Sequence, residues 1–124
     1  MITEDYVSFE TAKLLKEKGF DEGCSFVVNA ISKSVMPVSW PTTNSDIENE
    51  KASLIALPTL QMAIKWLREI HNLQIQIAPI TSRHNDWTFG IDRDFSPLTI
   101  DLLCFPTYEE ACEAAIKYCL ENLI

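Results

Sequence analysis

Residues 107–123, TYEEACEAAIKYCLENL, contain the strongest structural signal in this 124-residue sequence. Thr107 and Glu110 have the spacing of a capping box, in which two side chains satisfy free backbone amides at a helix start. From Tyr108 to Leu123, apolar residues recur every three or four positions, which gives one continuous apolar face. The stretch therefore predicts an amphipathic helix over residues 108–123 that packs against a larger body.

Two other segments predict helices. Ser8 is a suitable N-cap and Gly19 can adopt the left-handed conformation that ends a helix, so we expect a helix near residues 9–18. Residues 58–72, PTLQMAIKWLREIHN, contain a helical stripe of apolar residues that Met62 and Trp66 widen on one flank. The stripe consists of Leu60, Ala63, Ile64, Leu67 and Ile70. Its width predicts a central helix that is covered on more than one side.

The remaining apolar segments favour strands. Residues 24–31, CSFVVNAI, are rich in β-favouring residues and predict one strand. Residues 73–80 alternate apolar and polar side chains, and residues 87–94 place Trp87, Phe89 and Ile91 on one side, which predicts an antiparallel hairpin. Residues 98–105 fit either a third strand of this hairpin or an extended lead into the last helix.

Residues 32–53 are rich in structure-breaking residues, including Pro37 and Pro41, and predict a long loop. Together these segments predict one α+β domain over residues 1–124. We expect three helices and a small, mainly antiparallel sheet of three to four strands, in the order α-β-α-β-β-(β)-α.

The charge balance restricts the function. With 18 Asp and Glu against 10 Lys and Arg, the net charge is -8, which disfavours direct DNA or RNA binding. No apolar run approaches the roughly 18 residues that span a bilayer, and MITEDYVSFE lacks the features of a signal peptide. We expect a cytoplasmic protein without membrane contact. Its four cysteines, Cys24, Cys104, Cys112 and Cys119, are then reduced core thiols.

Few residues suggest chemistry. His84 and Asp86 lie in a predicted turn and fit either a metal or acid–base site or ordinary turn polarity. Asp92, Asp94 and Asp101 fit either a cation site or solvated strand edges. With only three glycines, a phosphate-cradling loop is hard to assemble, so ATP and NAD are not expected. We predict no catalytic residue, cofactor or metal.

Trp40 is the one candidate partner contact in the sequence. It lies close to Pro37 and Pro41 in the predicted loop. An aromatic side chain in such a loop either folds back onto the core or is offered to a partner. Cover of the core is the more frequent outcome, and we expect it here.

Three segments, VSFETAKLLKEKGFDE, PTLQMAIKWLREIHN and TYEEACEAAIKYCLENLI, resemble small uncharacterised proteins of Bacteroides phages, prophages and related mobile elements. They cover somewhat under half of the chain. The resemblance implies a genetic context, and it implies no activity, cofactor or site residue.

Three functions follow as hypotheses. The first is a noncatalytic accessory protein of a phage or mobile element that binds another protein or forms a homo-oligomer. The second is an acidic inhibitor that occupies a nucleic-acid-binding groove of a host protein, with carboxylates in place of phosphates. The third is a small metal-dependent hydrolase built from His84, Asp86 and nearby acids.

Overall fold

The structure, a computed structural model, describes residues 2–48, 53–80, 86–94, 96–98 and 103–124. Within these ranges the chain has an α+β fold with four helices and two three-stranded antiparallel sheets, which confirms the predicted class. Contacts group the chain into two compact units, Met1–Thr59 and Leu60–Ile124. Each unit has one sheet, where a single sheet of three to four strands was expected. The single domain over residues 1–124 stays a prediction.

The first unit contains two helices and three strands. They are α1 (Phe9–Glu17), β1 (Cys24–Asn29), β2 (Val35–Thr42), α2 (Asn44–Glu48) and β3 (Leu54–Leu57). Strand β1 lies in the middle of the sheet, with β2 and β3 antiparallel to it on either side. The core of the unit is made of buried apolar side chains, namely Val7, Ala12, Leu15, Phe20, Val27, Val28, Ile47, Ile55 and Leu57.

Helix α1 begins at the predicted residue and ends at Glu17, one residue before the predicted end. The Ser8 hydroxyl accepts a hydrogen bond from the Thr11 amide at 3.2 Å, which satisfies one of the free donors at the helix start. Gly19 has a φ of 92°, a left-handed conformation that suits glycine and ends the helix. These local signals explain why α1 was predicted correctly.

The predicted loop at residues 32–53 is wrong over most of its length, because β2 and α2 lie inside it. Proline is tolerated in β2 because this strand lies at an edge of the described sheet, where one side of its backbone needs no partner. Helix α2 is held by Asn44, a buried residue whose amide donates to the Phe20 carbonyl at 2.8 Å. Its side-chain oxygen accepts from the Ala56 amide at 3.0 Å. Such distant contacts leave no local sequence signal.

The second unit also contains two helices and three strands. They are α3 (Leu60–His71), β4 (Gln74–Pro79), β5 (Trp87–Arg93), β6 (Ser96–Pro97) and α4 (Tyr108–Asn122). Strands β4 and β5 form the predicted antiparallel hairpin, in which Ile75 pairs with Ile91 and Ile77 with Phe89. Strand β6 pairs with the end of β5. Phe105 forms a separate bridge with Trp87, through two backbone hydrogen bonds of 2.8 Å.

Helix α4 shows the Thr107 half of the predicted capping box and most of the predicted buried face, with Tyr108 and Leu123 only half-buried. The Thr107 hydroxyl accepts from the Glu110 amide at 3.1 Å. The buried side chains of α4 are Ala111, Cys112, Ala115, Ile116, Cys119 and Leu120. Removing this face from water stabilises the unit by several kcal/mol, at about 25 cal/mol per Å² of apolar surface.

Helix α3 departs from its prediction at one residue. Leu60, Ala63, Ile64 and Leu67 are buried as expected, but Ile70 is 61% exposed. Ile70 lies in the last turn, just before Asn72 adopts a φ of 54° and turns the chain toward β4. Ile70 is therefore on the exposed side of the last turn, whereas His71 in the same turn is half-buried. Within the described ranges, no helix is both long and apolar enough to cross a membrane.

Candidate functional site

Trp40 is exposed on β2. Its relative exposure is 76%, so the expectation that it covers the core is wrong. Large aromatic side chains bury much apolar surface when they pack, and those left exposed are candidates for contact with a partner.

A bulge in β2 sets the position of Trp40. Phe26 pairs with Pro37, but Cys24 pairs with Thr42, so one residue of β1 lies opposite the four residues 38–41 of β2. Strand β2 therefore accommodates three extra residues, and Trp40 is one of the four in the bulge. Bulges bend a strand and redirect side chains away from the regular alternation. Strand β2 is exposed at most of its positions, and the bulge adds three residues to this exposed strand around Trp40.

Two contacts hold the bulge in place. A Cβ atom added to Gly23 would lie 2.7 Å from the Cβ of Pro41, so the proline ring packs directly against the glycine. The Thr42 hydroxyl donates to the Trp40 carbonyl at 3.0 Å. The backbone on the C-terminal side of Trp40 is thereby ordered.

Other exposed apolar side chains accompany Trp40 along β2. Val35 and Met36 are exposed on the same strand, and Ile31 is 81% exposed in the turn that precedes it. Pro37 and Pro41 have no backbone N–H, so β2 offers a poor template for an added strand. Contact with a partner would therefore use the side chains of this surface. We call Ile31, Val35, Met36, Trp40 and the two prolines the β2 surface.

The turn between β1 and β2 is also well ordered. The Asn29 side-chain oxygen accepts from the Ile31 amide at 2.8 Å and from the Ser32 amide at 3.0 Å. Lys33 has a φ of 63°, and its ammonium lies 3.5 Å from the centre of the Phe9 ring. This cation–π contact fixes the position of the basic residue at the N-terminal end of β2.

Carboxylates lie near the opposite end of β2. Asp21 accepts from the Ser45 amide at 2.7 Å and from the Ser45 hydroxyl at 2.6 Å, and these hydrogen bonds lower the pKa of its carboxyl. Asp46 accepts from the Thr43 amide at 3.0 Å, while its own amide donates to the Thr43 hydroxyl at 3.1 Å. Both carboxylates thus help to fix the chain that follows Thr42.

Glu22 completes this acidic group. It is exposed and precedes Gly23, the residue against which Pro41 packs. Burial, together with the nearby Glu22 carboxylate, raises the pKa of the Cys24 thiol to about 11. The field of Glu22 therefore reaches Cys24, which pairs with Thr42 at the end of the bulge. We call Asp21, Glu22 and Asp46, three exposed acidic residues close in the chain to Gly23 or Thr42, the acidic rim.

The proposed metal or acid–base residues are only partly within the described chain. His84 lies outside it, and the Asp86 carbonyl accepts from the Ile80 amide at 2.9 Å next to the hairpin. Among the described residues, no group of three or more His, Cys, Asp or Glu side chains is placed to hold a metal ion.

Asp92 and Asp94 line a cleft of about 350 Å³ on the second unit, while Asp101 lies outside the described residues. Gln76 donates to the Asp92 carboxylate at 3.5 Å, and Asn72 donates to the Asp94 carboxylate. Gln74 and Ile75 complete the lining of the cleft. Side-chain amides thus engage both carboxylates that the sequence suggested for a cation.

The cysteines follow their prediction with one exception. Cys24, Cys112 and Cys119 are buried, whereas Cys104 is exposed and is not a core thiol. Burial raises the pKa of the Cys119 thiol to about 12, and it is also the main cause of the raised pKa of Cys112. The buried thiols are therefore poor nucleophiles.

The sequence suggests His71 as a cationic cap at the end of α3, and the structure gives it a different environment. Its ring packs edge to face against Trp66, with 4.7 Å between the ring centres. Burial and the nearby Arg93 charge lower the pKa of the imidazole, which favours its neutral form.

The bulge and the acidic rim were not visible in the sequence, because both depend on pairing between residues far apart in the chain. The only local signal was the position of an aromatic residue close to Pro37 and Pro41. This signal indicated Trp40 as a candidate contact, but it did not predict that its side chain is exposed.

A comparison of this chain with protein-family models finds no match, and comparisons with curated proteins and with solved structures find none either.

Proposed function

We propose that this chain is a noncatalytic accessory protein of a phage or mobile element, and that it binds another protein through the β2 surface. The observation that supports the proposal is the 76% exposure of Trp40 on an ordered bulge. Tryptophan is among the residues most enriched at the energetic centres of protein interfaces. The resemblance in the sequence suggests that the partner belongs to a Bacteroides host or to the element itself.

The order of the surface favours binding. The contact between Pro41 and Gly23 and the hydrogen bond from Thr42 hold the chain beside Trp40 in the free protein. A surface that is already ordered loses less conformational entropy when a partner binds, so more of the contact energy appears as affinity. Val35 and Met36 add exposed apolar area on the same strand.

A site-specific photo-cross-linking experiment tests the proposal. The exposed residue Ser39 is replaced by p-benzoylphenylalanine, which leaves Trp40 intact. The purified protein is irradiated in a Bacteroides lysate, and cross-linked species are identified by mass spectrometry. We expect one dominant partner. Adding Trp40→Ala to the same protein should lower its yield about tenfold, equivalent to about 1.4 kcal/mol of binding free energy.

Two controls separate binding at the β2 surface from general adhesion. Ile70 is an exposed apolar residue of the second unit, so Ile70→Ala should leave the yield unchanged. The same cross-linker at Lys117, which is exposed on α4, should not capture the partner. Capture that is equal with and without the Trp40 side chain would overturn the proposal.

A further inference from the structure

We propose that two copies of the chain associate through the outer edge of β4, with the two strands antiparallel and their sheets joined into one continuous sheet. This contact lies on the second unit and is independent of the β2 surface on the first. Its basis is a row of backbone groups that point outward from an uncharged strand.

The hydrogen bonds around β5 show which backbone groups of β4 point outward. The Ile80 amide donates to the Asp86 carbonyl at 2.9 Å, so this pair and every second pair along the hairpin are joined by hydrogen bonds. Trp87 instead exchanges hydrogen bonds with Phe105 on its other side, and the Ile91 carbonyl accepts at 2.7 Å from the residue that follows β6. The residues of β4 opposite Trp87 and Ile91 therefore direct their N–H and C=O groups away from β5.

These outward residues are Ile75, Ile77 and Pro79. Strand β4 lies at the edge of its sheet, and within the described residues β5 is the one strand that pairs with it. Ile75 and Ile77 each offer an amide and a carbonyl to another strand, while Pro79 offers only a carbonyl. Such a row of backbone groups is a template for pairing with another chain.

Strand β4 has few of the features that protect sheet edges from pairing. Natural edge strands carry charged side chains, above all lysine, or they contain bulges and prolines. Residues 73–80, LQIQIAPI, include no charged residue, and the register with β5 is regular from Gln74 to Pro79. Pro79 is the one protective residue, and it lies at the end of the strand. The edge is therefore open to pairing along most of its length.

The pattern of β4 is complementary to itself. When two antiparallel copies are centred on Gln76, Ile75 of each copy lies opposite Ile77 of the other. The outward amide and carbonyl of each isoleucine then bond to the other copy. Ile75 and Ile77 are half-buried in the single chain, and this register covers part of their remaining apolar surface with each other.

The charge of the chain does not oppose this contact locally. The net charge is -8, but the exposed side chains that meet are Gln76 with its own copy, and Gln74 with Ala78. Facing glutamine amides have both donors and acceptors for each other. A charged partner segment would find no opposite charge on this strand, whereas a second copy of β4 matches it in register and in charge.

The test is sedimentation velocity of the complete chain, combined with amide hydrogen exchange measured by NMR. A strand of six residues is about 20 Å long, so the interface is small and the dimer should be weak, appearing as the protein approaches about 1 mM. The amides of Ile75 and Ile77 should become protected only as the dimer forms. Those of Gln76 and Ala78, which bond to β5, should be protected at every concentration.

Two matched variants test the register. Gln76→Glu places two carboxylates opposite each other at the centre of the contact and should raise the Kd of the dimer about fivefold. Gln74→Glu makes the same charge change, but its two carboxylates lie about 14 Å apart along the strands, beyond the Debye length of about 8–10 Å. Its Kd should stay within about twofold of the wild type. Both variants add a carboxylate near Asp92 within each copy, so an effect on the fold itself would be shared.

A chain that stays monomeric up to about 1 mM would overturn the proposal. A dimer in which the Ile75 and Ile77 amides stay unprotected would also overturn it, since the contact would then lie elsewhere. Equal losses in Gln76→Glu and Gln74→Glu would contradict pairing centred on Gln76. Cross-linking from position 39 tests the proposed function separately and is unaffected by any of these outcomes.

Discussion

Replacing Gly23 with alanine tests how the bulge is held. The new Cβ would lie 2.7 Å from the Cβ of Pro41, whereas carbon atoms pack best at about 3.5–4.0 Å. Pro41 must therefore move by about 0.8 Å or more. Its ring is rigid and its φ is locked, so the backbone beside Trp40 has to move with it.

Two opposing effects set the change in the free energy of unfolding of Gly23→Ala. Overpacking of this kind costs about 1–3 kcal/mol. Alanine also restricts the unfolded chain, which returns about 0.4–1 kcal/mol. We expect Gly23→Ala to lower the free energy of unfolding by about 1–2 kcal/mol in urea denaturation. The NMR signal of the Trp40 indole should shift as well.

Gly90→Ala is the matched control. A Cβ at Gly90 meets nothing within 4 Å, so only the unfolded-state term applies and the protein should become slightly more stable. The difference in the free energy of unfolding between Gly23→Ala and Gly90→Ala isolates the cost of overpacking the new Cβ against Pro41. If Gly23→Ala is as stable as Gly90→Ala and the Trp40 signal does not move, Pro41 is not anchored against Gly23.

Three further outcomes are expected. Asn44→Ala should lower the free energy of unfolding by about 2–4 kcal/mol in urea, because it removes two buried hydrogen bonds, one to the Phe20 carbonyl and one from the Ala56 amide. The folded-state pKa of Asp21 lies below its ordinary value of 3.8, so its stabilising effect is present above that pH and is lost as the pH falls toward the lower pKa. Thermal melts should accordingly show Asp21→Asn less stable than wild type at pH 7, with the gap closing in acid; a constant gap would contradict this reasoning. A thiol reagent should modify Cys104 rapidly in the native protein and all four cysteines only after denaturation, as mass spectrometry of the labelled protein would show.

The helices at both ends were predictable because their signals are local. Ser8 and Gly19 bracket α1, and Thr107 starts α4, each within a few residues of the bonds that it makes or ends. The hairpin of β4 and β5 was predictable for a related reason. Apolar and polar side chains alternate in residues 73–80, and this alternation indicates which side of the strand packs inward.

The region between residues 32 and 57 was not predictable from local pattern. Pro37 and Pro41 suggest a loop unless the strand is known to lie at a sheet edge, and edge position depends on the whole fold. Helix α2 has only five residues and depends on contacts of Asn44 with distant backbone groups. The same limit applies to the site: the sequence indicated Trp40, but its exposure depends on the register between β1 and β2.

The affinity of the partner captured from position 39 is the most direct measure of whether Trp40 anchors a protein complex. Calorimetric titration should show that Trp40→Ala loses about 1.4 kcal/mol of binding free energy, roughly a tenfold rise in Kd. Ile70→Ala should bind like the wild type, since that residue is exposed on the other unit. An unchanged Kd for Trp40→Ala would contradict the assignment of the β2 surface as the binding site.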